Sequence, residues 1–133
     1  MSDTQKIVQT KKEIGFLGEE IATDFLKQKG YRILERNVRI GRGEIDLIAL
    51  DGETLVFVEV KTRKGFGFGH PSESVTYRKR RQLSKLALLY LQRRGISDVS
   101  CRFDIISVLL TSQGEAKVEH IENAFELDPR YVS

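Results

Sequence analysis

The fold of this chain is decided by two runs of sequence, Gly43-Glu44-Ile45-Asp46-Leu47-Ile48-Ala49 and Leu55-Val56-Phe57-Val58-Glu59-Val60-Lys61. Both are rich in β-branched and other apolar residues, which favour strands. Asp51-Gly52 lies between them, and Asp-Gly is a frequent turn of short β-hairpins. The sequence therefore predicts an antiparallel hairpin that carries four charged side chains: Glu44, Asp46, Glu59 and Lys61.

The register of this hairpin follows from where the turn is placed. A turn centred on Gly52-Glu53 sets Asp46 opposite Glu59. The same turn sets Glu44 opposite Lys61, whereas a turn one residue earlier pairs Glu44 with Glu59. In both registers the four charged side chains share one face, because strand side chains alternate with a period of two. We therefore expect two or three carboxylates within about 5–8 Å of one another, beside one ammonium.

Two interpretations of this charged face are open. A cross-strand salt bridge between Glu44 and Lys61 on a solvated hairpin explains one pair, but it leaves Asp46 close to Glu59, and like charges in that position are destabilising. A divalent cation between the acids removes the repulsion. The rest of the hairpin favours burial, because apolar residues continue both of its faces. Those residues are Ile48, Leu50, Leu55 and Phe57 on the acidic face, and Ile45, Leu47, Ala49, Val56, Val58 and Val60 on the other.

Asp46 and Glu59 are accordingly the leading candidates for metal ligands. Mg²⁺ and Mn²⁺ prefer carboxylate oxygens, and a cation held in this way lowers the pKa of a bound water. Lys61 is the candidate for orienting the attacking hydroxide or for stabilising charge on the phosphoryl group. Glu44 is either a further ligand or the partner that holds Lys61, and the residues alone do not separate these roles.

The arrangement of Asp46 before Glu59-Val60-Lys61 resembles the Asp…(Asp/Glu)-x-Lys core of the restriction-endonuclease-like nuclease superfamily. A wider set of motifs between about residues 12 and 126 resembles the YraN family of small bacterial proteins, which is related in fold to archaeal Holliday junction resolvases. Those motifs are Gly18-Glu19, Gly30-Tyr31, Asn37, the runs 43–48 and 57–63, Arg102-Phe103-Asp104 and Asn123-Ala124-Phe125.

The resemblance implies an α/β, restriction-endonuclease-like three-layer domain with a mixed central β-sheet flanked by helices. It implies an Mg²⁺- or Mn²⁺-dependent nuclease that hydrolyses phosphodiester bonds in DNA, including branched DNA, or in RNA, and of the two nucleic acids DNA is the expected partner. It adds Glu19 as a further metal ligand, with the backbone carbonyl of Val60, and it raises a homodimer as an expectation. The alternative is a nucleic-acid-binding module of the same fold that does not cut.

The charge distribution points to the same class of partner. The net charge is only +3, but residues 61–94 contain ten basic side chains and one acidic, whereas the flanking segments are net acidic. A basic surface beside carboxylates suits a phosphate backbone. We expect this surface to bind nucleic acid through Arg63, Arg78, Lys79, Arg80, Arg81 and Lys85.

The remaining pattern predicts one domain over residues 12–133, preceded by a disordered tail over 1–11. Ile14, Leu17, Ile21 and Phe25 predict the buried stripe of a first helix over 12–29. A second helix is predicted from about Ser72 or Ser74 to Arg94, before Gly95. Strands are predicted from Tyr31 to Ile40, from Cys101 to Leu110 and from Lys117 to Ile121, and a glycine-rich loop with Phe66 and Phe68 precedes the second helix. No secretory signal or membrane-spanning run is present in these residues, so we expect a cytoplasmic protein.

Overall fold

A computed structural model describes residues 10–65 and 76–125 of this chain. Its elements are two helices, α1 (Lys11–Gln28) and α2 (Tyr77–Arg94), and five strands, β1 (Arg32–Ile40), β2 (Gly43–Asp51), β3 (Thr54–Lys64), β4 (Ser100–Leu110) and β5 (Ala116–Phe125). Thr10 caps α1 with a reciprocal capping box to Glu13, so the helix begins at Lys11, inside the segment predicted as a tail. The final strand is longer than predicted and extends to Phe125.

The strands form one mixed sheet in the order β1-β2-β3-β4-β5. All neighbours are antiparallel except β3 and β4, which are parallel because α2 carries the chain back across the sheet between them. A helix packs on each face. This is a three-layer α/β architecture with a mixed sheet, as the sequence predicts.

Each face of the sheet has its own apolar core. The α1-side core joins Ala22 and Leu26 to sheet residues that include Leu47 and Val58. The α2-side core joins Leu83, Leu86, Ala87 and Tyr90 of the helix to Ile40, Ile45, Ile48, Leu55, Phe57, Phe103, Ile105 and Phe125. Because both faces of β2 and β3 are covered, nine of the twenty residues of these two strands are buried and ten more are half-buried.

The hairpin adopts the register set by a turn at Gly52-Glu53. Asp51 pairs with Thr54 and Leu47 with Val58, and Gly52 has a φ of 61°. This is one of the two registers that the sequence left open. Glycine suits the position because it adopts a positive φ without steric cost.

The strict alternation predicted for β2 is wrong at Asp46. Ile45 belongs to the α2-side core together with Ile48, although alternation places these residues on opposite faces. The pairing of β2 with β3 ends at Leu47. On the other side, the β1 residue whose position in the register is opposite Asp46 is Asn37, and it has a positive φ of 51°. The side chains of Glu44 and Asp46 consequently turn toward α1, and the single acidic face is split.

The buried stripe of α1 also differs from the prediction. Gly18, Ala22, Thr23 and Leu26 are buried, whereas Leu17 is exposed. Gly18 explains the shift: a Cβ placed there would lie 1.8 Å from Oγ1 of Thr62, so only glycine lets the helix approach β3 this closely. The glycine-rich loop with Phe66 and Phe68, and the predicted helix start near Ser72 or Ser74, lie outside the described residues.

Candidate metal centre

Asp46 is positioned by the point where β2 separates from β3. Its Oδ2 accepts a hydrogen bond of 2.8 Å from the backbone N–H of Val60. The Asp46 carboxylate therefore accepts the hydrogen bond that a backbone carbonyl of β2 would accept if the two strands stayed paired, and the N–H of Val60 is satisfied. This bond fixes Asp46 at the edge of a cavity.

Glu19, on α1, lies beside Asp46 at the same cavity. The close contact of Gly18 with Thr62 brings that turn of the helix against β3. Asn37, whose positive φ turns it out of the regular strand, hydrogen-bonds the Glu19 carboxylate. Burial raises the pKa of Glu19, and the neighbouring Glu44 adds to the increase, whereas the Asn37 hydrogen bond opposes it.

Glu19, Glu44 and Asp46 form a group whose nearest carboxylate oxygens all lie within 4.8 Å of one another. Adjacent oxygens around an octahedral Mg²⁺ lie about 3 Å apart, so a small closure of side chains is enough for all three to bind one cation. A cavity of about 440 Å³ adjoins the group, and Glu19, Asp46, Glu59 and Val60 are among its lining residues. This space leaves room for water or a phosphate oxygen in the coordination shell.

The electrostatics of the group favour a cation. The pKa of Asp46 is raised from its usual 3.8 to about 7, first by burial and then by the negative charge of Glu59, despite the hydrogen bond from Val60. Glu19 and Glu44 raise it further. Without a positive ion these carboxylates repel one another, and a hard divalent cation is the partner that their oxygens would bind.

Glu59 is buried and lies between two lysines. Its Oε1 is 3.7 Å from Nζ of Lys61 and 3.7 Å from Nζ of Lys79. Lys79, which the sequence predicts to contact a nucleic-acid backbone, thus also reaches the acids, and its role in binding stays a prediction. The sequence carries a signal for this placement: Lys79 lies four residues before the buried Leu83, on the inner face of α2.

The predicted salt bridge between Glu44 and Lys61 is not formed. Glu44 lies 3.6 Å from Nε of Arg39 and takes part in the acidic group. Lys61 instead pairs with Glu59, its neighbour two residues earlier on the same strand. Of the two roles left open for Glu44, the geometry supports that of a ligand.

The basic run on α2 otherwise faces solvent. Arg78, Arg80, Arg81 and Lys85 are exposed, and Arg63 on β3 is half-buried near the same end of the sheet as Lys61. The guanidinium of Arg81 lies over the ring of Tyr77, with 5.8 Å between its Cζ and the ring centroid. All of these cations except Arg63 lie on α2, the helix whose Lys79 reaches Glu59.

Asp104 belongs to a separate polar network that involves β4, β5, the end of β2 and Tyr31, which precedes β1. It accepts hydrogen bonds from Arg102 and from the backbone N–H of Asn123, and it lies 2.8 Å from Nε2 of His120. Burial favours the neutral acid, but these bonds outweigh it and lower the pKa of Asp104. Arg102 also contacts Tyr31 and Asp51. The Arg-Phe-Asp motif is therefore structural.

The family model for the uncharacterised protein family UPF0102 matches residues 18–108, which include all of the site residues above. The chain belongs to this family. The resemblance to the YraN family predicted from the motifs is thereby confirmed. Among relatives, UPF0102 proteins of Geobacter sulfurreducens and Symbiobacterium thermophilum are 50% identical over 116 residues and 51% identical over 114. These alignments cover 87% and 86% of this chain, and 91% and 97% of the relatives.

Among solved structures, the chain is similar to that of Pyrococcus furiosus SfsA in complex with Ca²⁺, with a TM-score of 0.38 and 17% identity. The match covers 80% of this chain and 60% of that one. The helices of the described ranges, 10–65 and 76–125, include none with the length and apolar character needed to cross a membrane.

Proposed function

We propose that this protein is a metal-dependent nuclease that hydrolyses phosphodiester bonds in DNA, including branched DNA, or in RNA. The observation that carries the proposal is that Glu19, Glu44 and Asp46 come together from two elements in one acidic group, beside a cavity and next to Glu59 and its lysines. When fully ionised, these four acids and Lys61 and Lys79 have a net charge of −2, which one divalent cation neutralises.

The residues fit Mg²⁺ or Mn²⁺. Glu19, Glu44 and Asp46 would hold the ion, and the bound ion would supply an activated water and a counter-charge for the phosphoryl oxygens. Lys61 lies on β3 beside Glu59, where its ammonium would stabilise the developing negative charge on the phosphate. Glu59, buried at the junction between the cavity and the lysines, would orient the water or add a ligand.

The exposed cations of α2 favour nucleic acid as the substrate. Arg78, Arg80, Arg81 and Lys85, with Arg63 on β3, provide a surface that would contact the sugar-phosphate backbone. Such contacts position the substrate and make its affinity depend on salt. The same surface supports the second candidate function, a module that binds nucleic acid without cutting it.

The deciding experiment incubates the full chain with single-stranded, duplex, flapped and four-way-junction DNA and with RNA, in Mg²⁺, Mn²⁺ or EDTA. We expect cleavage that requires the metal and that falls at least about a hundredfold in Asp46→Asn and Glu19→Gln. Glu53→Gln, a charge loss at the exposed hairpin turn, is the matched control and should retain activity.

The outcomes separate the two candidates. Cleavage that persists in both Asp46→Asn and Glu19→Gln would refute the assigned site. Salt-dependent binding with no cleavage of any substrate would instead identify the binding module.

A further inference from the structure

Lys79 differs from every other cation of the basic run on α2. The side chains of its neighbours Arg78, Arg80 and Arg81 are exposed, whereas that of Lys79 is 34% exposed and turns toward the sheet. Its Nζ lies 3.7 Å from Oε1 of Glu59, a buried residue of β3. This contact thus connects the helix that supplies the proposed nucleic-acid surface to the acidic site.

Glu59 lies between two lysines on one side and the acidic group of Glu19, Glu44 and Asp46 on the other. The same oxygen, Oε1, lies 3.7 Å from the ammonium of Lys61 on its own strand and 3.7 Å from that of Lys79. Glu59 is also among the residues that line the cavity with Glu19 and Asp46, and its charge raises the pKa of Asp46. A carboxylate in this position binds the lysines when the acidic group is anionic and is drawn to that group when a cation neutralises it.

Two ammoniums that converge on one carboxylate oxygen also form a site of the right chemistry for a phosphate. Ammonium groups bind phosphate as compact point charges, with up to three donors each. The distances to Oε1 show that the oxygen of an anion fits between Lys61 and Lys79. In the free protein Glu59 fills that position, so a phosphodiester must displace it.

We propose that Lys61 and Lys79 form a phosphate subsite that Glu59 blocks until a divalent cation binds Glu19, Glu44 and Asp46. With a cation held there, the Glu59 carboxylate would turn toward it, and the ammoniums of Lys61 and Lys79 would be left to bind a phosphate of the nucleic acid. This inference rests on the proposed function of the site. It predicts that the contribution of Lys79 to nucleic-acid affinity depends on metal, whereas the contribution of an exposed arginine on the same helix does not.

The test measures the affinity of the full chain for fluorescein-labelled single-stranded and four-way-junction DNA by fluorescence anisotropy, at one salt concentration, in EDTA and in Ca²⁺. Gels verify that the DNA stays intact. In Lys79→Met we expect affinity to fall about tenfold in Ca²⁺ and less than about twofold in EDTA. The matched control, Arg80→Met, should lose about two- to threefold in both conditions.

Two control measurements separate loss of the Lys79 charge from loss of folding. Lys79→Arg keeps the charge and should retain most of the metal-dependent affinity, and thermal melts should show that Lys79→Met is folded. If Lys79→Met loses DNA affinity equally in EDTA and in Ca²⁺, Lys79 is an ordinary contact to the nucleic-acid backbone. If it loses no affinity in either condition, Lys79 only forms a structural ion pair with Glu59. Both results overturn the inference but leave the proposed function intact, whereas a wild-type protein that binds neither these DNAs nor labelled single-stranded RNA refutes both.

Discussion

Replacement of Asp46 by Asn should stabilise the metal-free protein at neutral pH. The folded state holds a proton on Asp46 up to about pH 7, whereas the unfolded chain releases it near 3.8. Between these values the folded state binds more protons, so the free energy of unfolding falls as the pH rises and then levels off above about pH 7. Asn removes this penalty and retains an oxygen that accepts the hydrogen bond from Val60.

The size of the effect follows from the same two values. At about 1.4 kcal/mol for each pH unit, the interval from 3.8 to about 7 sets a ceiling of about 4 kcal/mol. Asp46 keeps contact with water in the cavity, which screens the repulsion, so we expect about 2 kcal/mol at pH 8 and almost none at pH 4. The difference should increase steadily between these two pH values.

Urea denaturation in EDTA at intervals from pH 4 to pH 8 measures this difference. Glu53→Gln, at the exposed turn, serves as the control and should follow the wild type at every pH. An Asp46→Asn protein that is no more stable than the wild type at pH 8 would contradict the crowding of acids on which the proposed metal centre depends.

Addition of Mn²⁺ should reverse the order of stability. A ligand that binds only the folded state at a hundred times its Kd adds about 2.7 kcal/mol. The wild type should gain this stabilisation, and Asp46→Asn should gain little because one of the three carboxylates is lost. A wild-type melting temperature that does not respond to Mn²⁺ or Mg²⁺ would refute the metal centre.

Four other substitutions test the structure around the site and the proposed nucleic-acid surface. Gly18→Ala should weaken Mn²⁺ binding in calorimetry and cost about 1–3 kcal/mol of stability, because the new Cβ overlaps Thr62. Gly15→Ala, where a Cβ meets no atom within 4 Å, should instead stabilise α1 by about 0.5–1 kcal/mol, and equal effects of the two changes would exclude close packing as the cause. Asp104→Asn should cost about 3 kcal/mol in urea denaturation, because it leaves the half-buried Arg102 with a weakened partner, yet it should not change Mn²⁺ affinity. A salt titration of DNA binding should give a shallower slope for Arg81→Met than for the wild type, and an unchanged slope would remove that residue from the interface.

Local pattern was sufficient to predict the hairpin, its two candidate registers and both helices. Each depends on neighbours in sequence: the Asp-Gly turn, the alternation of apolar residues and the stop at Gly95 are all short-range signals. The prediction that the four charged side chains share one face failed at Asp46. Alternation with a period of two requires continuous pairing between the strands, and the pairing of β2 with β3 ends at Leu47. Local pattern failed again in α1, where the buried side is chosen by the fit of Gly18 against Thr62.

The sequence by itself determined that this chain has a hairpin with four charged residues, a basic segment after it and the motifs of its family. Tertiary structure decided which charges meet. Glu19 joins Glu44 and Asp46 only because α1 packs closely on β3, and Lys79 reaches Glu59 only because α2 packs on the opposite face of the sheet. Carboxylates 27 residues apart in the chain, Glu19 and Asp46, interact through distance in space, and no local periodicity encodes that distance.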